Sequence, residues 1–340
     1  MESYCTRPFI EFSMKQLKVG LLILYFIFIQ GFSSEVKELF KNDILIFSNY
    51  PESVRQPGLM FEKTINNKSF RIFYHHRNIS KDPLSIVVML SNPTEEKQII
   101  HLRKGLGGSC EDIIFAGHKA MSDFLCNINN KAEKISLDSL SSTSIVIHKI
   151  KSNQTSSGIL HVTNESEGPL NIKMTMIDIS YPSISGFMDV PDIIDQFRVA
   201  EFEDVFKSYD VNYNVVDQIK TIKIGGQPYV KDSYYNYTLK GNYGVAYAVS
   251  VNLENSLNTS KSISFFLSPA KDNSVDRGVI IVDGEIKDIE LLTFKNDLMT
   301  MKRFYEIKLK PQEKKQIDLF TMPQAGCFYP INIILKTKEV

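Results

Sequence analysis

Along much of the chain apolar and polar residues change places at every second position. Ile172, Met174 and Met176 alternate with Asn171, Lys173 and Thr175, and Tyr305, Ile307 and Leu309 alternate with Glu306, Lys308 and Lys310. Val245, Tyr247, Val249, Val251 and Leu253 alternate with Ala246, Ala248, Ser250 and Asn252. A period of two belongs to a β-strand with one face buried, so each stretch predicts such a strand. Ile86–Leu90 (IVVML) is apolar on both faces and predicts a central strand. Asp283-Gly284, between two such runs, supplies the positive φ angles of a type I′ hairpin. Asn66-Asn67 plays a weaker version of that role between Leu59–Ile65 and Ser69–Tyr74, and Asn92-Pro93-Thr94 separates Ile86–Leu90 from Gln98–Leu102.

Helical spacing is confined to two places. Gly117–Asn127 puts Met121, Phe124 and Leu125 on one side, and Asp189–Val199 carries Pro191 in what would be its first turn. Many short strands without regular intervening helices disfavour a parallel α/β fold and predict sandwiches.

The pattern also repeats. Ile135-Ser136-Leu137, a polar turn and Ile145-Val146-Ile147 are echoed by Ile307-Lys308-Leu309, a polar turn and Ile317-Asp318-Leu319. Each copy runs on to Pro-x-Asn-Ile, Pro169–Ile172 in the first and Pro330–Ile333 in the second. One repetition at so long a period points to two similar modules and not to a solenoid. The predicted fold is all-β: two tandem β-sandwich, immunoglobulin-like modules with one or two short helices, over residues 34–178 and 179–340. Asp178 to Lys223 would serve as connector and opening of the second module, and Ile172 and Ile333 would be equivalent core positions.

Ahead of the modules, residues 1–33 read as a signal peptide. Lys15 and Lys18 precede an uninterrupted apolar run, Val19–Ile29, and Gly31-Phe32-Ser33 offers a cleavage pattern. Met14 is a plausible true start. The run is short for a membrane span; its other reading is an uncleaved anchor. With cleavage the chain would have no transmembrane span. Cys110, Cys126 and Cys327 would then meet an oxidising compartment that allows one pair to close, Cys110–Cys126 being the nearer. The odd number argues against a disulfide framework, and three small buried hydrophobes are the other reading.

Of 340 residues, Lys+Arg and Asp+Glu both number 39, so no net field gathers nucleic acid. Gly105-Leu106-Gly107-Gly108 lacks the Lys-Ser/Thr of a phosphate loop and is followed by Glu111-Asp112; it reads as a turn leaving a strand. His75-His76 cannot share a metal from one strand, where neighbours point to opposite faces. His101 and His148 could approach one of them from other strands, but no ligand spacing supports it; no metal and no cofactor is predicted. Asp189, Asp192 and Asp195 cluster near a helix start, where acidic residues serve the helix dipole. No nucleophile signature is present, so no catalytic residue is assigned.

The one concentration of candidate binding residues is aromatic. Tyr229, Tyr234, Tyr235, Tyr237 and Tyr243 fall within one stretch of a chain that has no Trp. Tyr234, Tyr235, Tyr237 and Tyr243 are the candidate ligand-binding residues, with Tyr235 and Tyr237 on one face of a strand and Tyr234 opposite; cross-strand pairing that stiffens a sheet is the alternative. Sequons occur at Asn67, Asn78, Asn153, Asn164, Asn236 and Asn258.

Several islands are distinctive: Ser48-Asn49-Tyr50-Pro51-Glu52, Pro57-Gly58, Phe70–Asn78 (FRIFYHHRN), Leu90-Ser91-Asn92-Pro93, Gly241–Tyr247 (GNYGVAY), Thr321–Gly326 (TMPQAG) and Tyr329-Pro330. Together they resemble an uncharacterised family of exported bacterial proteins from cyanobacteria and Firmicutes, some with a copper-amine-oxidase-like N-terminal stalk domain. The resemblance implies export and a β-rich exterior role; it lends no catalytic residues. Where relatives would carry Gly-Gly-Ser this chain has Ala325-Gly326-Cys327, which makes Cys327 its own feature.

The expectation is a secreted, cell-envelope-associated protein with a non-enzymatic binding or structural role, its partner a cell-wall polymer, polysaccharide or envelope protein. The alternative is an envelope hydrolase with a site between the modules.

Overall fold

The computed structural model describes residues 36–50, 52–178, 198–232, 234, 237–271, 274–295 and 298–338. The signal segment and nearly all of Asp189–Val199 lie outside them; Arg198 and Val199 belong to a strand. Among the described residues no helix is long and apolar enough to cross a membrane.

The chain is helical at 36–40 and enters β1 (Ile44–Tyr50) and the short β2 (Ser53–Val54). Eight strands then build the first sandwich: β3 (Gly58–Ile65), β4 (Ser69–Asn78), β5 (Leu84–Ser91), β6 (Gln98–Cys110), β7 (Glu133–Leu137), β8 (Ser142–Ile150), β9 (Thr155–Asn164) and β10 (Leu170–Asp178). They pair as nested partners, β3 with β10, β4 with β9, β5 with β8 and β6 with β7. The sheets run β3-β10-β5-β8 and β4-β9-β6-β7, the second extended by β1, parallel to β4, and then by β11 (Arg198–Phe202). This is a jelly roll, one long double strand rolled up. The sandwich is as expected; its strand order is not that of an immunoglobulin domain, whose sheets follow ABED and CFG.

The second sandwich repeats the first strand for strand. β12 (Phe206–Asn214) lies parallel to β14 (Ala246–Glu254), as β1 does to β4. β13 (Ile219–Ile224), β15 (Lys261–Pro269), β16 (Ser274–Val282), β17 (Glu285–Lys295), β19 (Lys302–Leu309), β20 (Lys314–Thr321) and β21 (Ile331–Thr337) complete the sheets, with the short β18 (Leu298–Met299) beside β17. Their orders, β13-β21-β15-β19 and β14-β20-β16-β17, match those of the first module. Pro-x-Asn-Ile therefore opens equivalent strands, β10 and β21, and Ile172 and Ile333 are both fully buried. The other echo is one strand out of step: Ile135 and Ile145 lie on β7 and β8, whereas Ile307 and Ile317 lie on β19 and β20, the equivalents of β8 and β9.

Turns divide by function. Asp283 (φ 47°) and Gly284 (φ 84°) close the β16–β17 hairpin as predicted. Asn66-Asn67 and Asn92-Pro93-Thr94, by contrast, carry the chain between the two sheets of the first sandwich. Four buried asparagines fasten such crossings: Asn78 and Asn164 end strands β4 and β9, and Asn92 and Asn255 stand just after β5 and β14. In each, the side-chain oxygen accepts the amide two residues on and the side-chain nitrogen donates to the carbonyl four residues on. Asn78 and Asn255, at equivalent strand ends, also reach Ile150 O at 3.1 Å and Leu309 O at 3.4 Å, again equivalent positions. The sequons at Asn78 and Asn164 are thus turn fasteners with no side-chain nitrogen to spare, while Asn67, Asn153 and Asn258 are exposed.

Two apolar cores result. One fills the first sandwich, with Ile46, Ile72, Ile86 and Met174. The other fills the second and continues without a break onto the outer face of the β1-β4-β9 sheet, taking in Leu45, Phe47, Phe73 and Ile159. Ala246 and Ala248, expected on an open face of β14, are buried in that core. The helix Ile113–Cys126 shares it through Met121, Phe124 and Leu125, the residues predicted for its buried side. It starts earlier than expected because Asp112 caps it, accepting the Phe115 amide at 2.9 Å.

Gly105 and Gly107, read as a turn, lie within β6 under this helix. A Cβ on Gly105 would stand 2.2 Å from Ala120 O, and one on Gly107 2.0 Å from Ala116 O. The helix also parts the cysteines. Cys110 precedes its start and Cys126 ends it, and 14 residues rise roughly 20 Å, too far for a disulfide; all three described cysteines are free.

Candidate functional site

Where the two sandwiches meet, a wholly buried ionic cluster stands on the sheet face shared by β4 and β9. Arg71 Nε lies 3.0 Å from Asp43 Oδ2, and His161 Nε2 lies 3.4 Å from the same oxygen. Arg71 reaches across the boundary to Gly244 O at 2.6 Å and Val205 O at 3.0 Å, with its guanidinium 5.0 Å from the Phe40 ring centre. Burial pushes the Asp43 carboxyl up. The His161 charge and hydrogen bond, the Arg71 charge and the Ser69 hydroxyl outweigh it and hold the group below the ordinary carboxylate range.

Ser69, His161 and Asp43 are the residue types of a hydrolytic triad, at the place where the hydrolase alternative puts its site. Their geometry is not that of a relay. Ser69 Oγ donates directly to Asp43 and lies 3.0 Å from His161 Nε2, the nitrogen that also faces Asp43, while His161 Nδ1 has no partner. A relay needs the carboxylate on the opposite nitrogen from the hydroxyl, and an opening for substrate. Asp43 is 4% exposed and His161 0%.

Phe70–Asn78, Gly241–Tyr247, Thr321–Gly326 and Tyr329-Pro330, four of the distinctive islands, meet at this boundary. Phe47 and Phe73 stack on each other, and Phe47 on Tyr243 at 6.2 Å. Tyr243 meets Tyr329 edge-on at 5.6 Å and donates its hydroxyl to Cys327 O at 2.8 Å. Burial raises its phenol pKa above the usual value. Gly244 N donates to Pro323 O at 2.8 Å and Gln324 N to the Tyr329 hydroxyl at 3.0 Å. Tyr243 is therefore partly buried and packs in the interface.

His75 and His76 point to opposite faces of β4. His75 Nδ1 bonds Ser157 and His76 Nε2 lies 3.1 Å from Ser48 Oγ. Burial, with the neighbouring His76 charge, drops the His75 pKa to about 3. Among the described residues no group of three or more His, Cys, Asp or Glu is placed to hold a metal ion.

The tyrosine stretch forms the long connection from β13 to β14, and its described residues are turn and isolated bridge, not a regular strand. Buried Asn242 holds it together: it accepts the Val230 amide at 2.9 Å and donates to Gly226 O and the Tyr247 hydroxyl, each at 2.9 Å. Asp232 pins the tip to the edge strand of the first module, accepting the amides of Glu201 and Tyr234 at 2.8 Å. Tyr235 lies outside the described residues. Tyr237 is 46% exposed, with its ring 6.1 Å from Phe202. Tyr234 is 66% exposed, with Lys63 Nζ 4.7 Å from its ring centre.

Tyr234 also lines an open groove of about 630 Å³ with Tyr229, Lys207, Lys231, Glu203 and Asp204. Tyr229, Lys231 and Tyr234 belong to the tyrosine stretch, whereas Glu203, Asp204 and Lys207 come from the β11–β12 segment, which the sequence does not tie to it. Lys207 donates to Pro228 O, and burial lowers its ammonium pKa. Cations and anions balance, and the aromatic surface stands at the mouth. Such a groove can stack an apolar ring face and hydrogen-bond hydroxyls around it.

No family model matches the chain, and no curated protein does. Among solved structures it is similar to the N-terminal CBM22-1–CBM22-2 tandem domain of Xyn10C from Paenibacillus barcinonensis, at 8% identity over 84% of this chain and 92% of that one, TM-score 0.19. It is similar also to the ANXUR2 extracellular domain from Arabidopsis thaliana, at 11% identity over 87% and 97%, TM-score 0.17. A third is an anti-sigma factor domain-containing protein from Clostridium clariflavum, at 10% over 79% and 80%, TM-score 0.16. Likenesses at these scores carry no argument about function.

Proposed function

We propose that this protein is exported, associates with the cell envelope and has a non-enzymatic binding role, holding a neutral, polyhydroxylated chain such as an oligosaccharide in the groove beside Tyr234. Support for export comes from Lys15, Lys18 and the apolar run Val19–Ile29, together with the family resemblance. Support for binding comes from one observation above all, a tyrosine 66% exposed at the mouth of a groove whose charges cancel. A neutral ligand needs no counter-charge, and an exposed ring gives a sugar its apolar platform.

Affinity electrophoresis through gels containing neutral polysaccharides tests this. Each aromatic ring contributes roughly 0.5–1.5 kcal/mol beyond area burial, so Tyr234→Ala should weaken retention about 2–12-fold. Retention unchanged in the double variant Tyr229→Ala, Tyr234→Ala, with its circular dichroism intact, would refute the reading.

A further inference from the structure

A second surface stands apart from the tyrosine groove, on the outer face of the β13-β21-β15-β19 sheet. The pairing register sets its side chains in rows. Lys338, Ser262 and Lys308 form one row, Lys336, Ser264 and Glu306 the next, and Ile334, Phe266 and Arg303 the third. Lys223 lies beyond, opposite Asn332. The face thus carries Lys223, Arg303, Lys308, Lys336 and Lys338 against Glu306, in a chain whose overall charge is zero.

Glu306 is already engaged. Its carboxylate takes Lys338 Nζ at 3.0 Å, Ser264 Oγ at 3.2 Å and the Arg303 guanidinium. These bonds hold its pKa below the ordinary value, the one to Lys338 foremost, so it stays ionised beside its partners. One carboxylate offsets one of its two cationic partners, so Lys223, Lys308, Lys336 and one charge shared by Arg303 and Lys338 remain uncompensated on the face.

Between the rows runs a groove of about 460 Å³ lined by Phe266, Ser264, Met301, Arg303, Lys336 and Lys338. Its floor is an aromatic ring and a serine hydroxyl, and its two walls are cationic. Arg303 and Phe266 are direct cross-strand neighbours, with Lys336 one row on and one strand across. Cross-strand neighbours on one face stand about 5 Å apart, and successive same-face residues along a strand about 7 Å apart. A guanidinium fork and an ammonium are therefore set at the two sides of one ring.

We infer that this face binds an acidic polysaccharide, a hexuronic-acid polymer, with the apolar face of one sugar on Phe266 and its carboxylate between Arg303 and Lys336. Charge complementarity selects an anionic occupant. The ring on the groove floor selects one whose body is a sugar. Glu306 takes only Nη1 of Arg303, and the guanidinium's other donors, which match a carboxylate in parallel hydrogen bonds, select the uronic acid. Lys338 and Lys308 meet the next residues of the chain. This surface is independent of the Tyr234 groove, which takes a neutral ligand.

The probe is polygalacturonate, with double-stranded DNA and long-chain polyphosphate as competing polyanions, at low and at physiological salt. The protein should be retarded by polygalacturonate and released as salt rises. Lys336→Glu and Arg303→Gln, both at exposed positions, should each weaken retention at least tenfold with an unchanged melting temperature. Tyr234→Ala should leave it untouched, so failure of the neutral-ligand reading and failure of this one are told apart. No retention by polygalacturonate at low salt, or retention indifferent to Lys336→Glu, overturns the assignment. DNA or polyphosphate binding as strongly as polygalacturonate overturns it too, because the face would then respond to charge alone.

Discussion

Asp276 shows what a single side chain costs here. It is completely buried on β16, and one carboxylate oxygen accepts the Phe328 amide at 2.6 Å. Burial outweighs that amide and the Ser274 hydroxyl and raises the pKa to about 6. The native state therefore keeps the proton to higher pH than the unfolded chain does. Stability from this group is intact below pH 4 and is lost as pH climbs from about 4 to about 6. Asp276→Asn keeps the amide contact and removes the charge. Urea unfolding at pH 7.5 should show the variant more stable by about 1–3 kcal/mol, and the gap should close by pH 4. A variant no more stable than the parent at pH 7.5 would contradict this account. Nothing in the sequence marks Asp276, because neither burial nor the approach of Phe328 has a local signature. Asn78 and Asn255 are different. Each stands at the end of a strand and is succeeded by loop residues, and that pattern could have been read as a repeated fastener.

At the scale of elements, alternation was legible and pairing was not. Met174 and Met176 face the core as their spacing requires, since period two is fixed by the backbone. Which sheet a strand joins is decided by partners far away in sequence, so Asn66-Asn67 looked like a hairpin turn yet carries the chain across the sandwich. The glycines of β6 hold a signal that was misjudged: Gly105 and Gly107 are two apart, so both face one side of the strand, where a helix needs a flat seat. Gly107→Ala would place a methyl 2.0 Å from the backbone oxygen of Ala116, which cannot swing aside. It should cost at least 1–3 kcal/mol, the range for overpacking. Gly226→Ala, whose methyl would meet nothing nearer than 3.6 Å, should be close to neutral. Equal unfolding midpoints for the two variants would show that the helix does not depend on the seat.

The whole molecule is two jelly rolls whose boundary is itself a core. Leu45, Phe47 and Phe73 leave the first sandwich to join the apolar cluster of the second, Phe40 stacks on Phe320 at 5.5 Å, and Arg71 of one module holds carbonyls of the other. The alternating pattern could not reveal this. It marks Ala246 and Ala248 as the open side of β14, and small residues there suit solvent or a close-packed neighbour equally well. The candidate groove was legible only as a cluster of tyrosines; its two acids and Lys207 are supplied by the β11–β12 segment, which meets the tyrosine loop only through the fold. An interface of this kind makes separate unfolding costly, because parting the modules exposes apolar surface and leaves the Arg71–Asp43 pair facing water on one side. The full chain should therefore melt in one calorimetric transition, with equal calorimetric and van't Hoff enthalpies. Ile172→Ala in the first module and Ile333→Ala in the second should each lower the midpoint of that same transition, by a destabilisation of about 2–5 kcal/mol. Two resolved transitions, with each substitution moving only one of them, would mean that the modules touch without sharing a core.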